Sequence, residues 1–458
     1  MPGLRRVLVA NRGEIAVRII RACFDEGLET VLAVSDADRE SLGAQLADRT
    51  VCVGPASPAE SYLDIDRLVA AATLTGCDAL HPGYGFASER PELSAACAQA
   101  GISFIGPSEQ AMRHSGDKAT ARAIARELGI AVGEGSGVLS SEDEVRAVAL
   151  GLGFPVLLKA AGGGGGRGMR LVKSGGELPG AIAAARVEAT QAFGDGRLFV
   201  ERFVQRARHV EVQVLADEHG NVIHLGHRDC SLQRRYQKLI EEAPAFGLPD
   251  TLHRDILDAA TALIGSLAYH GAATCEFLVD LERGEYSFLE VNARLQVEHP
   301  VTEMITGVDV VREQLRIAAG EKLTVAQDDV RVAGHAIEAR VNAESPELGF
   351  MPSPGRLERW VAPVGSHVRV DTACFPGWAI VPHYDSMLAK VIAWANDRHG
   401  AIHTLDRALG HLHVDGVSTT AGFARDVLAH PDMRQGRIHT RWIEETFMPA
   451  WGPQEVAV

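Results

Sequence analysis

Cysteine is sparse in this chain and never paired by spacing. The seven cysteines, Cys23, Cys52, Cys77, Cys97, Cys230, Cys275 and Cys374, are odd in number and scattered, with no Cys-x-x-Cys pair. That argues against a zinc site and a disulfide framework, so reduced cytosolic thiols in cores are the expected state. Basic residues are also in short supply: 45 Lys and Arg stand against 60 Asp and Glu, a net charge of −15. Such an acidic chain argues against nucleic acid or a membrane surface as partner, and an anionic substrate must be drawn by a local basic cluster. No apolar run is long enough to span a membrane. The start runs straight into a strand pattern without a signal peptide, which points to a cytoplasmic protein. No internal repeat is evident, and Trp451–Val458 reads as a loose tail.

What is present is ordinary for a soluble enzyme. The 458 residues are 46% hydrophobic and 23% charged, enough chain for about two to four domains. Arg6–Ala10, Thr30–Val34, Thr50–Val53, Asp78–Leu80 and Ser103–Ile105 read as strands alternating with helices. One helix carries Ile15, Ile19 and Cys23 on one face, and another covers Ile65–Leu74. Such alternation predicts a doubly wound parallel sheet. The turn His81-Pro82-Gly83-Tyr84-Gly85-Phe86 follows a strand, where such folds bind ligands. From about Val332 the pattern changes to short strands and turns, with a helix over Asp397–Leu412, as in a mixed α+β domain.

Leu289–Glu298 carries the strongest chemical signal. Its apolar residues alternate with Glu290, Asn292, Arg294, Gln296 and Glu298, so an extended chain would line one face with five polar groups. Alternation usually means a strand with one face in water. These residue types, two acids, two amides and a guanidinium, are instead ligands and hydrogen-bonding clamps. Ala273–Asp280 reads as the preceding strand, and Glu282-Arg283-Gly284-Glu285 as a turn. A hairpin centred on Arg283 sets Glu276 directly opposite Glu290. Like charges there repel, and a divalent cation, with Asn292 as a further ligand, would remove the penalty.

Phe154–Lys159 and Met169–Lys173 read as strands flanking Gly162–Gly168, which contains five consecutive glycines and Arg167. No Gly-Lys-Ser/Thr opens a helix here, so this is not a P-loop. Bare backbone N–H groups can approach an anion, which favours a mobile lid over phosphates to a plain linker. Lys118, after Gly116-Asp117, opens a helical run. Leu198–Val204 is a strand whose Glu201 could accept from an adenine amino group. The basic run Arg228–Lys238 is a candidate anion site.

Taken in order, these motifs resemble the biotin carboxylase family within the ATP-grasp superfamily, over roughly Arg6 to Phe447. The matching stretches are Ala10–Glu14, His81–Phe86, Gly116–Lys118, Lys159 with Gly162–Met169, Arg208–Glu211, Arg228–Ser231, Gln233–Arg235, Glu241–Pro244, Asn292–Glu303 and Tyr384–Met387. The resemblance implies three domains: an N-terminal Rossmann-like domain over 1–115, an ATP-grasp domain over 116–331 with a lid at about 132–204, and a C-terminal domain over 332–458. It implies ATP- and bicarbonate-dependent carboxylation of biotin, the first half-reaction of an acetyl-CoA or acyl-CoA carboxylase in fatty acid biosynthesis.

Its nucleotide set would be Lys118, Lys159, Gly164, Gly165, Gly166, Arg167, Gly168, Met169, Glu201, Arg202, Val204, His209, Gln233, Tyr236, Glu276, Leu278 and Glu290. Within that set Lys118, Lys159 and His209 would contact phosphates or ribose. Glu201 and Arg202 would flank the adenine, and Gln233 would lie on the ribose side. Glu276, Glu290 and Asn292 would hold two Mg²⁺ or Mn²⁺ ions on ATP. Lys238, Arg294, Gln296 and the Val297 backbone would hold bicarbonate. Glu298 would be the base that leads to carboxyphosphate, Arg340 would stabilise the biotin enolate, and Tyr84 would line the biotin site. A carboxylate–amine ligase acting through an acyl phosphate shares the nucleotide and metal residues, but leaves Arg340 and the Arg294/Gln296/Glu298 set without a task.

The chain departs from the family at Tyr236, usually His, at Arg202, usually Lys, and at Ser115, usually Met. Arg18 and Arg21 match the bacterial dimer helix, whereas Ser366 stands where an aromatic interface residue is common. No Met-Lys-Met biotinylation site occurs. The expectation is therefore a stand-alone homodimeric subunit, served by a separate biotin carboxyl carrier protein or domain and a carboxyltransferase subunit.

Overall fold

The computed structural model describes residues 3–161 and 169–452. The first sheet is parallel, as predicted, and consists of β1 (Arg6–Val9), β2 (Glu29–Ser35), β3 (Arg49–Gly54), β4 (Ala79–His81) and β5 (Ser103–Phe104). Its order, β3-β2-β1-β4-β5, reverses beside β1. The turns after β1 and β4 therefore meet at the switch point where open α/β sheets bind ligands. Asn11 ties them together by donating to the carbonyls of Pro82 and Tyr84, both at 2.7 Å. The predicted helix after β1 is α1 (Gly13–Asp25), with Ile15, Ile19 and Cys23 all buried. The next predicted helix is α2 (Ile65–Leu74), capped by Asp64.

Asp117 caps α3 (Lys118–Glu127), accepting from the Thr120 N–H at 2.7 Å. That cap fixes Lys118 at the first helical position. A small subdomain follows. It contains α4 (Glu142–Leu152), β6 (Val156–Ala160), β7 (Met169–Val172), α5 (Leu178–Phe193) and β8 (Leu198–Arg202), with strand order β7-β6-β8. Val145, Val156, Leu158, Ile182 and Val200 give it a core of its own.

The main sheet is antiparallel and eight-stranded. Its strands are β9 (Arg208–Ala216), β10 (Val222–Arg234), β11 (Gln237–Ala243), β12 (Gly271–Asp280), β13 (Glu285–Asn292), β14 (His335–Asn342), β15 (Val368–Thr372) and β16 (Met387–Ala395), in the order β13-β12-β9-β10-β11-β14-β16-β15. Strands from the C-terminal part thus continue the central sheet, through pairs such as Glu241 with Glu338. Along β9, Val210, Val212 and Val214 pack under α6 (Asp250–Ser266) with Ile256 and Leu263. Each such buried branched side chain contributes about 1.5–3 kcal/mol. The alternate residues His209, Glu211 and Gln213 face the other way, yet they are buried too. Leu215 and Leu225 pack with Ile15, Ile19 and Val310, which joins the first sheet to the main one.

One strand ends earlier than its alternation suggests. Pairing stops at Asn292 with Thr274, and residues 293–298 leave the sheet as a loop running into α7 (His299–Thr306), which precedes α8 (Val310–Ala318). Glu298 is the N-cap residue of α7, Pro300 lies in its first turn, and the His299 ring holds the Gln296 carbonyl at 2.7 Å. Helix initiation overrides the strand period here. No helix among the described residues is long and apolar enough to cross a membrane.

Candidate active site

Register sets up a line of charge across four strands. Glu290 on β13 pairs with Glu276 on β12, Glu276 with Glu211 on β9, and Glu211 with Arg228 on β10. The predicted Glu276–Glu290 pairing is present, but through a bulge between Glu276 and Phe277. On the turn side the register is one residue different, with Asp280 opposite Glu285.

Three buried carboxylates converge on one ammonium group. Lys238 Nζ, on β11, lies 2.7 Å from Glu211, 3.2 Å from Glu276 and 2.5 Å from Glu298. Arg228, fully buried, holds Glu211 at 2.6 Å. Arg340 on β14 bridges Glu241 at 2.6 Å and Glu298 at 2.9 Å. On the other side Asn292 and Gln296 donate to Glu276 at 3.0 and 3.5 Å. Arg294 donates to the side-chain oxygens of Gln296 and Asn292 at 2.8 and 3.1 Å, and reaches Glu89 at 3.0 Å. Lys238, Arg340 and the Arg294, Gln296 and Glu298 of one stretch, drawn from three separate parts of the sequence, thus form one connected cluster. The repulsion expected between Glu276 and Glu290 is already offset, because Glu276 has Lys238 and His209 while Glu290 pairs with Lys118 at 2.7 Å.

Burial and charge compete at every group. Burial raises the Glu298 carboxyl, but Lys238, Arg340 and Arg228 outweigh it and hold it well below the ordinary range. Burial disfavours the Lys238 ammonium, yet the surrounding carboxylates hold it firmly protonated. His209 is raised: burial lowers it, and Glu276 reverses the sign. Glu241 shows the opposite balance. Burial, opposed by Arg340 and reinforced by Glu298, lifts it to about 7.

The residues expected to bind nucleotide are spread over several elements. Lys159 on β6 contacts Glu201 on β8, which also binds Arg122, so the carboxylate proposed for an adenine amino group is already engaged by two cations. Arg202 pairs with Glu134 at 2.8 Å and Glu285 at 3.4 Å. Val204 lies in the loop after β8, Met169 begins β7, and Leu278 on β12 pairs with His209. Gln233 is buried, with its amide nitrogen 3.3 Å from the Cys230 carbonyl. Tyr236 stands apart from the cluster. It is 63% exposed at the tip of the β10–β11 hairpin, where Arg235 and Tyr236 have φ of 48° and 67°, as a tight two-residue turn requires. Gly164, Gly165, Gly166, Arg167 and Gly168, expected to form a lid, lie outside the described residues. Tyr84 donates its hydroxyl to Glu14.

For a divalent ion, Glu276, Glu290 and Asn292 offer oxygen donors side by side at the sheet edge. Such a set fits a hard ion such as Mg²⁺ better than a soft one. Asn292 presents its amide nitrogen to Glu276 and its oxygen to Arg294, so that oxygen must be released before it can act as a ligand.

Sequence reasoning gave no role to Glu211, Glu241 or Lys390, although each is buried in or against the cluster, and it read Arg228 only as part of a basic run. A signal for Glu211 existed: His209, Glu211 and Gln213 alternate on β9 as Glu290 and Asn292 do on β13. Arg18 does not face outward as a dimer-helix residue would. It is buried on Glu303 at 3.0 Å and Asp309 at 2.5 Å, whereas Arg21 is exposed.

Comparison with known proteins gives a consistent result along the chain. Residues 3–112 match the family model described as biotin carboxylase, N-terminal domain, and residues 338–445 match the biotin carboxylase C-terminal domain. Residues 117–326 match the ATP-binding domain of the carbamoyl-phosphate synthase L chain. Biotin carboxylase 1 of Bacillus subtilis is 44% identical over 442 residues, covering 96% of this chain and 98% of its own. The crystal structure of a Campylobacter jejuni biotin carboxylase–β,γ-ATP complex superposes with a TM-score of 0.92 at 41% identity, covering 96% of this chain and 98% of that one. The biotin carboxylase domain dimer of Hydrogenobacter thermophilus 2-oxoglutarate carboxylase, in complex with MgADP, ADP and bicarbonate, gives 0.91 at 42%, covering 97% and 98%.

Proposed function

The chain belongs to the biotin carboxylase family, and from that premise we propose how its residues divide the ATP- and bicarbonate-dependent carboxylation of biotin. The observation that carries the reading is the convergence of Lys238 and Arg340 on the single buried carboxylate of Glu298, with Arg294 and Gln296 in the same cluster. An anionic substrate entering there meets Lys238, Arg294, Gln296 and the Val297 backbone. It competes with Glu298 for Lys238, the charge that most depresses its carboxyl. Binding of bicarbonate therefore makes Glu298 a better base at the moment a proton must be removed.

The deprotonated oxygen attacks the γ-phosphate of ATP, giving carboxyphosphate and ADP, a step governed by positioning and electrostatics. Lys118, Lys159 and His209 would bind the polyphosphate and ribose side, with Glu201, Arg202, Val204, Leu278, Gln233 and Tyr236 around the base and sugar and the lid segment above. Mg²⁺ or Mn²⁺, when bound by Glu276, Glu290 and Asn292, neutralises polyphosphate charge. Carboxyphosphate releases CO₂ beside biotin, the leaving phosphate takes the ureido N–H proton, and the nitrogen attacks CO₂. Arg340 stabilises the enolate oxygen, and Tyr84 lines the biotin side.

The domain division at 115/116 and 331/332 and the lid at 132–204 belong to the same proposal. So does a biotin carrier on another protein or domain, with acetyl-CoA or another acyl-CoA as final acceptor through a carboxyltransferase. A homodimer is included, with Arg21 rather than Arg18 available on α1, as is a cytoplasmic location, supported by seven free cysteines of which six are buried. The decisive experiment measures ADP release with and without bicarbonate and free biotin. Bicarbonate-dependent release with formation of carboxybiotin supports the reading, and ATP cleavage driven by a carboxylate plus an amine instead would overturn it.

A further inference from the structure

Lys390 on β16 is 0% exposed, so its charge is held by protein groups. Its ammonium nitrogen lies 2.9 Å from the Val297 carbonyl, 3.1 Å from Glu14 Oε1 and 3.7 Å from Asp371 Oδ2. These partners come from the loop before α7, from α1 and from β15. The Val297 carbonyl belongs to the peptide group that joins Val297 to Glu298, so the contact fixes the plane of the backbone presenting the base. The preceding carbonyl, of Gln296, is held by His299 at 2.7 Å. Glu14 in turn accepts the Tyr84 hydroxyl, and the Tyr84 ring centre lies 6.0 Å from the Lys390 nitrogen. Arg369 holds Asp371 in place at 2.9 and 2.7 Å and also reaches Glu303 on α7 at 2.6 Å.

A buried ammonium group with two acids and a carbonyl is costly unless every contact is made. Its position is therefore tightly specified, and so is whatever it binds. We propose that Lys390, with Glu14 as its counter-ion, is a positioning residue for the Gln296–Glu298 loop, setting the bicarbonate site without touching substrate. This rests on the reading of that loop given above. Lys390 is absent from the cluster around Lys238, and its link to the chemistry is the Val297 carbonyl. Removing it should let that peptide turn, spoiling the aim of Glu298 and, through the shared Val297 Cα, the neighbouring Gln296–Val297 peptide whose N–H would meet bicarbonate, while the Lys118, Lys159 and His209 contacts stay in place.

The test is steady-state kinetics of Lys390→Met, Glu14→Gln and the double variant. ADP release is followed against bicarbonate and ATP separately, with Arg294→Ala as reference. Lys390→Met should raise the KM for bicarbonate about ten- to a hundredfold, the usual effect of losing one hydrogen bond to a charged group, and leave the KM for ATP within about twofold. Glu14→Gln should move bicarbonate KM in the same direction by less, and the double variant should be no worse than Lys390→Met, as for residues acting through one contact. Should Lys390→Met fail to fold, Glu14→Gln carries the test alone. Equal rises in both KM values, or an unchanged bicarbonate KM in folded variants, would overturn the proposal. If Arg294→Ala also left bicarbonate KM unchanged, the site reading itself would be at fault. A response to Arg294→Ala alone would reject only the role of Lys390.

Discussion

Glu298 and Arg340 touch at 2.9 Å and are nonetheless assigned to different steps. In the proposed division Glu298 removes the bicarbonate proton, so Glu298→Gln should stop bicarbonate-dependent ADP release and carboxybiotin formation together. Arg340 is proposed to act later, on the biotin oxygen. Losing one such charge-stabilising contact costs about 3 kcal/mol, roughly a hundredfold in rate. Arg340→Ala should therefore slow carboxybiotin formation by about that factor and spare much of the bicarbonate-dependent ATP cleavage. Equal loss of both activities in a folded, ATP-binding Arg340→Ala protein would remove the division. Glu276 gives a second residue-level expectation. The repulsion expected from the sequence between Glu276 and Glu290 implies that Glu276→Gln leaves stability unchanged or raises it. The structure reverses that sign, because Lys238 and His209 outweigh burial and depress the Glu276 carboxyl. A depressed carboxyl stabilises the fold above its unfolded pKa and stops doing so as pH falls. Glu276→Gln should abolish ATP turnover and also cost about 1–3 kcal/mol of stability at pH 7, read by denaturant unfolding. Glu276 was legible because a hairpin had to bring it across from the polar face of β13, although a bulge and not the turn sets it opposite Glu290. Glu211 was missed because its partner, Lys238, lies two strands away and no local pattern joins them.

At the scale of elements, β11 connects the nucleotide half of the main sheet to the C-terminal half. Glu242 on β11 binds His335 on β14 at 2.8 Å and Arg398, the first residue of α9 (Arg398–Gly410), at 2.6 Å. Burial raises its carboxyl, but His335 and Arg398 more than offset this and hold it at about 2 against an ordinary 4.5. The sign is that of a depressed acid. The contribution is fully present above pH 4.5 and disappears as pH falls towards 2, and its size is about 3 kcal/mol. Wild type should therefore be more stable than Glu242→Gln by about that amount at pH 7, with the gap closing between pH 4.5 and 2. A gap that does not change with pH would mean the ion pairs are not its source. Element types were legible where period and caps agreed, as for α2 behind Asp64 and α3 behind Asp117. They failed at 293–298, where a two-residue period continued in the sequence after pairing had ended. The polar groups still reach one site, because the loop folds back over the sheet and delivers Gln296 to Glu276 and Glu298 to Lys238.

For the whole molecule, the change in pattern near Val332 marks a third domain, in keeping with the C-terminal family model over 338–445, and the hydrogen bonding gives that segment an open side. β14 pairs with β16 on one edge and with β11 on the other, from Ala336 opposite Ala243 to Ala339 opposite Ile240. Leu232, Leu239 and Ile240 of the central part share a core with Ile337, Val391 and Phe423 of the C-terminal part. Cutting the chain at 331/332 would expose β14 (His335–Asn342) as an eight-residue unpaired edge, which is a template for pairing with other chains. It would also remove partners from that shared core, and a segment this size has little stability in reserve. We therefore expect residues 332–458 expressed alone to aggregate or remain unfolded. Residues 116–458 should keep the main sheet intact, and the subdomain from α4 to β8, with its separate core, should show weaker hydrogen-exchange protection than the main sheet, as a local unfolding unit does. The measurement is amide exchange on the whole chain beside the amide NMR spectrum of the isolated 332–458 segment. A well-dispersed monomer spectrum from that segment would show that the third domain carries its own fold and that its pairing with β11 is a docking contact rather than part of one cooperative sheet.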